Sequence, residues 1–139
     1  MQSYEGYFEN SKFNGKGKLT FDTSDELQRK HYRGQFIDNR MEGPGTLTFQ
    51  NGDVIVANWK DSKIQGQGLY IWSDGVRQRI TMNKQDDEMI FEKRLIFPED
   101  DFRIEYRGEL KDKRVLHGVG SLTVADEKTY KSFWHEGHS

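Results

Sequence analysis

The residues that could do chemistry are few, and none stands in a pattern that an active site requires. Two of the four histidines lie in the segment His135-Glu136-Gly137-His138, which offers two imidazoles and a carboxylate to a metal ion. Because the glycine between them would not hold that geometry, we predict no metal site. The chain has no cysteine, which excludes thiolate ligands, disulfides and cysteine nucleophiles. No serine lies in a Gly-x-Ser-x-Gly elbow.

Pairs of glycines two residues apart are the most frequent motif, and they invite comparison with phosphate-binding loops. They occur at Gly15/Gly17, Gly43/Gly45, Gly66/Gly68 and Gly118/Gly120. A dinucleotide-binding loop has the form Gly-x-Gly-x-x-Gly between a strand and a helix. Here the third glycine is missing every time, and an alternating strand pattern follows each pair. We therefore predict turn and packing roles for these glycines, no cofactor and no enzyme activity.

The glycine pairs belong to a repeated unit of two strands. A segment of the form ring-x-small-x-apolar precedes each pair, and apolar residues alternate after it. Gly43 and Gly66, the first glycines of consecutive pairs, are 23 positions apart. Alternation with a period of two indicates strands, and Asn51-Gly52 and Asp74-Gly75 indicate tight turns. The units span about 4–22, 32–53, 55–75 and 106–126, with a degenerate unit at about 76–105 and a partial one at 130–134.

Composition agrees with a single all-β domain over residues 1–139. Only 33% of the 139 residues are hydrophobic, while 13% are aromatic and 14 are glycine. We predict an elongated, twisted, single-layer antiparallel meander of consecutive β-hairpins with roughly ten strands, in which residues 24–31 could add a turn or two of helix. The net charge of −2 and the absence of a long apolar run or a leader pattern predict a cytoplasmic protein.

The units Tyr4-x-Gly6-x-Phe8 … Gly15-x-Gly17-x-Leu19-x-Phe21 and Ile55-x-Ala57-x-Trp59 … Gly66-x-Gly68-x-Tyr70-x-Trp72 resemble MORN repeats (membrane occupation and recognition nexus). The resemblance extends from Tyr4 to about Trp134. It implies a non-catalytic scaffold or adaptor that binds protein segments, often in cytoskeletal, ciliary or membrane-associated assemblies. In some members of the family it implies binding of acidic phospholipids.

Alternation places the consensus residues on one side of the sheet, the aromatic face, and mostly polar residues on the other, the polar face. Two interpretations of the aromatic face are open: its rings fold on themselves into a thin core, or some remain as a groove for a peptide, a helix or a cytoskeletal subunit. Contiguous exposed rings usually mark an interface. The predicted partner contacts on this face are Tyr4, Phe8, Tyr32, Phe36, Trp59, Tyr70 and Trp72. On the polar face, Val56, Leu69 and Ile71 form a second candidate contact.

The alternative function is peripheral binding to anionic phospholipids. Residues 11–40 hold seven basic side chains against four acidic ones. A well-placed cation near an anionic membrane contributes about 1 kcal/mol. The predicted lipid contacts are Lys12, Lys16, Lys18, Arg29, Lys30 and Arg33. Interleaved acids argue against nucleic acid as a partner. The two ends of the sheet could support self-association, because open strand edges pair readily.

Overall fold

The computed structural model describes residues 2–125 and 128–137, which form one antiparallel sheet of twelve strands. The strands are β1 (Ser3–Glu9), β2 (Lys12–Thr20), β3 (Arg29–Ile37), β4 (Arg40–Phe49), β5 (Val54–Lys60), β6 (Lys63–Ile71), β7 (Arg77–Met82), β8 (Met89–Phe91), β9 (Arg94–Ile96), β10 (Arg103–Lys111), β11 (Val115–Val124) and β12 (Thr129–Trp134). The sheet is open, with β1 and β12 at its two edges. The predicted all-β antiparallel meander is confirmed.

Neighbours in the sheet are neighbours in the chain, except within the degenerate unit. There β7 pairs with β8 through Ile80–Met82 and with β9 through the single pair Arg77 and Ile96, while β9 continues the sheet to β10. The second strand of this unit is therefore split into two three-residue pieces, which brings the number of strands to twelve. Residues 24–28 form tight turns and β3 begins at residue 29, so the suggested helical turn does not form.

Three hairpins close through two-residue turns in which both residues have positive φ. Asn10 and Ser11 have φ of 53° and 65°, and the pairs 38–39 and 61–62 behave alike. The β10–β11 hairpin closes through three residues, 112–114, of which the first two have positive φ. Two successive residues with positive φ define the turn whose twist matches that of the flanking strands. In the three two-residue turns the following strand begins directly after the turn.

The two glycines of each pair serve different purposes, as β4 illustrates. Gly43 lies in a β-bulge and has a φ of +72°, a conformation that L side chains rarely adopt. Gly45 has ordinary strand geometry but lies directly under the ring of Tyr32, and an added Cβ would overlap the ring and its hydroxyl. The tyrosine hydroxyl then donates to the carbonyl of Gln35 at 3.4 Å. Tyr106 repeats the arrangement over Gly120.

The core lies on the aromatic face in two clusters. The first is formed by Leu19, Phe21, Tyr32, Phe36, Met41, Leu47, Ile55, Trp59, Tyr70 and Ile80. The second is formed by Val76, Leu95, Phe97, Tyr106, Leu116, Leu122 and Trp134. Trp72 packs against both clusters. Its indole N–H donates to Gln78 Oε1 at 2.9 Å, and the buried Gln78 amide donates to the carbonyl of Lys113 at 2.7 Å. Gln78 thus connects the two halves of the sheet.

Candidate functional site

Most of the rings predicted to contact a partner belong to the core. Tyr32, Phe36, Trp59 and Tyr70 have exposed fractions of 0, 1, 4 and 8%. The Trp59 indole N–H donates to the carbonyl of Gly45 at 3.1 Å, and the Tyr32 and Trp59 rings meet edge to face at 5.5 Å. These contacts favour the thin-core interpretation for the four residues. A partner could touch them over their full surface only if the core opened.

Burial also changes the acidity of the core tyrosines. It raises the pKa of the Tyr32 hydroxyl to about 12. The pKa of Tyr70 is raised further in the same direction by burial and by its hydrogen bond to Asp53 Oδ2, at 2.6 Å. Asp53 is itself 3% exposed and also accepts the backbone N–H of Ser73 at 2.7 Å. Both tyrosines therefore stay neutral hydrogen-bond donors at physiological pH.

The remaining three predicted rings are more accessible. Tyr4 is half-buried and stacks on Phe13, with ring centroids 3.8 Å apart, while Phe8 is 59% exposed next to them. Trp72 is half-buried, and the guanidinium of Arg114 lies 4.7 Å from its ring centroid. Tyr4 and Phe8 are far along the strand order from Trp72, so the structure does not bring these three rings together.

An apolar cleft of about 460 Å³ opens on the aromatic face between two excursions of the chain, which are the segment before β3 and the segment that leads into β8. Side chains of β4, β5 and β6 line it, among them Phe49, Trp59 and Ile64. Leu27, from the segment before β3, and Met89, from β8, contribute on the two sides. Leu27 is 65% exposed, which is high for a leucine beside a core. The cleft combines an apolar lining with open access, as sites for apolar side chains of a partner do.

Charged groups surround the apolar lining of this cleft. The ammonium of Lys63 lies 3.1 Å from the carboxylate of Asp87 and joins β6 to the segment before β8. On the other side, Arg29 binds Asp25 through two hydrogen bonds of 2.9 and 2.8 Å and stacks on Phe21 at 4.1 Å. The Arg29 guanidinium lowers the pKa of Asp25 to about 2. Both ion pairs fix the excursions that border the cleft.

Of the seven predicted rings, Trp59 alone lines this cleft, and the sequence analysis missed Leu27, Met82 and Met89. A signal for them existed. Leu27 is an apolar residue in an otherwise polar segment that interrupts the repeat, and Met89 begins the apolar run Met89-Ile90-Phe91 after the polar residues 83–88. What the sequence could not supply is that the two interruptions meet over the same strands.

The second candidate contact lies on the polar face, as predicted. Val56 and Leu69 are direct cross-strand partners, and Ile71 faces Val54 one step further along the same strands. Val56 is 42% exposed, and Leu69 and Ile71 are half-buried. These residues form a small aliphatic patch on β5 and β6 that no other element covers within residues 2–125 and 128–137.

The six basic residues proposed for lipid binding divide between the two faces. Lys16, Lys18 and Arg33 line one cavity on the polar face. Arg29 stacks on Phe21 and borders the cleft on the aromatic face, while Lys30 lies at the β-bulge between Arg29 and His31 and lines neither cavity. Lys12 lies at the far end of β2, beside the first hairpin turn. A flat membrane surface could therefore not meet all six of them at once.

Metal-binding geometry is absent from the described ranges, in which no group of three or more histidine, aspartate or glutamate side chains could hold an ion. The rings of His117 and His135 lie 5.6 Å apart, while Glu136 binds Lys111 at 2.8 Å. His138, which the sequence analysis considered as a ligand, lies outside the described residues, as does the last residue of the predicted unit 106–126. No helix that could cross a membrane occurs in the described ranges.

Comparison with known families agrees with the repeat seen in the structure. A family model described as MORN repeat matches three consecutive stretches, residues 4–26, 32–54 and 57–77. These stretches cover β1 to β6, in which the glycine pairs recur and a tyrosine ring covers Gly17 and Gly45. No curated protein matches the chain.

Proposed function

Because this chain is a MORN-repeat protein, we propose that it is a non-catalytic scaffold or adaptor whose aromatic face binds an apolar segment of a protein partner. MORN repeats are generally protein- or membrane-interaction modules. The observation that supports a protein partner here is the open apolar cleft of about 460 Å³ between Leu27 and Met89. A cleft of this size accepts two or three apolar side chains of a helix or a peptide.

The chemistry of the lining favours a partner that presents aliphatic or aromatic anchors. Ile55, Ile64 and Leu47 provide branched surface, while Met82 and Met89 provide flexible thioether side chains that adapt to different shapes. Buried apolar area contributes roughly 25 cal/mol per Å². The ion pair of Lys63 with Asp87 stands beside the lining, so polar groups next to the anchors have charged partners at the rim.

The experiment uses rim residues, because substitution of Trp59 would also remove a core ring. The double variant Leu27→Asp with Met89→Asp places charge in the cleft while leaving the core unchanged. The matched control is Ile90→Asp, because Ile90 is 53% exposed and neighbours Met89 on the opposite face of the same strand. The readout is affinity purification with mass spectrometry, followed by calorimetric titration of each recovered protein.

We expect the cleft variant to lose the recovered partner at least tenfold, while Ile90→Asp retains it. If the cleft variant binds as tightly as the wild-type chain, the aromatic face is not the site. Binding to anionic vesicles through the basic residues remains the alternative function. Sedimentation with vesicles that contain phosphatidylserine would reveal it as pelleting at low salt that the cleft variant leaves unchanged. A cytoskeletal or ciliary assembly would be identified by the recovered partners themselves.

A further inference from the structure

A second surface lies on the polar face, on the side of the sheet away from the cleft. Two adjoining cavities of about 650 and 510 Å³ share Arg33 and Pro44 and together form one trough across β1 to β6. Its floor is a row of small residues in direct cross-strand register: Gly6, Gly17, Gly34, Gly45 and Ala57. The Cβ positions of Gly17, Gly34 and Gly45 point to the aromatic face, where the rings of Tyr4 and Tyr32 cover them, so only the backbone of this row forms the floor on the polar face.

Two rows of side chains border the floor. On one side the register runs Glu5, Lys18, Arg33, Thr46, Val56 and Leu69, one residue from each strand. On the other side lie Lys16, Gln35, Pro44, Asn58 and Gln67. The trough therefore runs perpendicular to the strands, so a ligand in it is bound by side chains and does not extend the sheet by strand pairing.

The β2–β3 part of the trough is positively charged: three cations line it, and Glu5 on β1, the cross-strand partner of Lys18, is the single acidic residue in the lining among the described residues. Lys18 and Arg33 are direct cross-strand partners, an arrangement of like charges that destabilises a sheet. Neither they nor Lys16 form an ion pair with any residue in the described part of the chain. Burial, followed by the charges of Lys18 and Arg33, lowers the pKa of the neighbouring His31. Three cations held together against their own repulsion fit an anionic ligand.

The β5–β6 end of the trough is apolar. Val56 is exposed and lies beside Leu69, two and three strands away from Arg33. Strands lie about 4.8 Å apart, so Val56 is about 10 Å from Arg33 along the trough, which is close to three residues of an extended chain. The whole trough, from β1 to β6, spans about 24 Å and accommodates roughly seven extended residues.

We propose that this trough binds an extended segment of a partner protein in which acidic residues are separated from an aliphatic residue by three or four positions. The acidic side chains bind Lys16, Lys18 and Arg33, and the aliphatic side chain packs on Val56 and Leu69. A protein segment fits better than a membrane, because the cations line a concave trough next to an aliphatic patch while Arg29 belongs to the other face. The proposal is independent of the cleft on the aromatic face.

The test uses fluorescein-labelled eight-residue peptides and the whole chain, with binding followed by fluorescence anisotropy. The probe peptide is Gly-Glu-Glu-Ser-Ser-Leu-Ser-Gly, measured together with the peptide of reversed sequence. Control peptides carry lysine in place of both glutamates, or serine in place of leucine. Protein variants are Lys18→Ala with Arg33→Ala, and Val56→Ser. The matched control is Lys30→Ala with Lys93→Ala, which removes the same charge outside the trough.

We expect one of the two acidic peptides to bind, with the Lys18 and Arg33 double variant at least tenfold weaker. Val56→Ser should lower affinity threefold or more, and the control variant less than twofold. Because removal of opposed like charges relieves repulsion, the double variant should melt at the same or a higher temperature than the wild-type chain. This separates a binding role from a structural role.

Three outcomes would overturn the proposal. The first is that neither acidic peptide binds at 50 mM salt. The second is that the control variant weakens binding as much as the trough variant, which would mean that long-range attraction alone holds the peptide. The third is that no peptide binds while the trough variant abolishes pelleting with phosphatidylserine vesicles, which would assign the trough to a membrane. None of these outcomes depends on the cleft variants, so the cleft proposal stands or fails separately.

Discussion

The substitution Gly45→Ala tests whether Gly45, the second glycine of its pair, is required because a tyrosine ring covers it. The φ of Gly45 is not positive, so backbone strain plays no part. An added Cβ would overlap the hydroxyl and ring of Tyr32, and a Cβ at Gly34 would lie 2.6 Å from the same hydroxyl. Forcing one extra methyl into a packed core costs about 1–3 kcal/mol. Replacing glycine also reduces the conformational entropy of the unfolded chain, which stabilises the folded state by about 0.4–1 kcal/mol.

The expected net loss of unfolding free energy for Gly45→Ala is therefore about 1–2 kcal/mol, or about 4–8 °C in the melting temperature. The chain offers a matched control. Gly68 occupies the same row on β6, but no tyrosine ring covers it, because Ile55 stands where Tyr32 stands in β3. The nearest atom to an added Cβ at Gly68 is Ala57 Cβ at 3.0 Å. We expect Gly68→Ala to change stability by less than about 1 kcal/mol.

A double-mutant cycle measures the coupling free energy between Tyr32 and Gly45. Tyr32→Ile reproduces the arrangement of Ile55 and removes the overlapping ring, so Gly45→Ala should cost less than about 0.5 kcal/mol in that background and the coupling should reach about 1 kcal/mol. Urea unfolding followed by the fluorescence of the three tryptophans measures all four chains. Equal losses for Gly45→Ala and Gly68→Ala, or a Gly45→Ala cost that is the same with and without Tyr32, would refute the reasoning.

Three further predictions concern polar side chains, two of them buried and the third, His31, half-buried. Gln78→Leu leaves the Trp72 indole N–H and two backbone carbonyls without partners and should lower the unfolding free energy by about 2–4 kcal/mol in urea titrations; a change under about 1 kcal/mol would contradict the connecting role of Gln78. Asp53→Ala leaves the Tyr70 hydroxyl and one backbone N–H unpaired and should cost about 2–4 kcal/mol by thermal unfolding, whereas a near-neutral result would show that water replaces the carboxylate. The pKa of His31 is lowered in the folded chain, so the unfolded chain binds the proton more tightly. The unfolding free energy present above pH about 6.5 should therefore fall towards pH 5. His31→Gln should make this fall smaller in denaturation curves measured across the range, and an unchanged fall would contradict the role of His31.

The sequence predicted the parts of the fold that local chemistry determines. Turn residues such as Asn10 and Ser11 determine a hairpin geometry within four positions. The position of a tyrosine ring two residues before a glycine depends only on residues of the same hairpin. Within the degenerate unit, Leu95 and Phe97 alternate as the apolar residues of the other units do, and both are buried. The structure of each unit can therefore be predicted from the residues of that unit.

The cleft and the buried polar groups could not be predicted in this way. The segments that carry Leu27 and Met89 have no counterpart in the other units, and their convergence over β4 to β6 depends on the curvature of the whole sheet. Gln78 finds Lys113 at a separation of 35 residues, which no local pattern encodes. The division of the basic residues has a similar cause: Arg29 and Arg33 are four positions apart in β3, so alternation predicts one face for both, and the β-bulge between Arg29 and His31 turns Arg29 to the aromatic face.

The serial pairing of strands has a consequence for how the chain folds as it is synthesised. Each strand from β2 to β7 finds its partner in the strand made just before it, so loops to be closed stay short and the contact order is low, which favours rapid folding. The first core cluster is complete once Ile80 has left the ribosome. The last strand already in the sheet then provides the edge with which the next strand pairs. The sheet would therefore form in the direction of translation, from β1 towards β12.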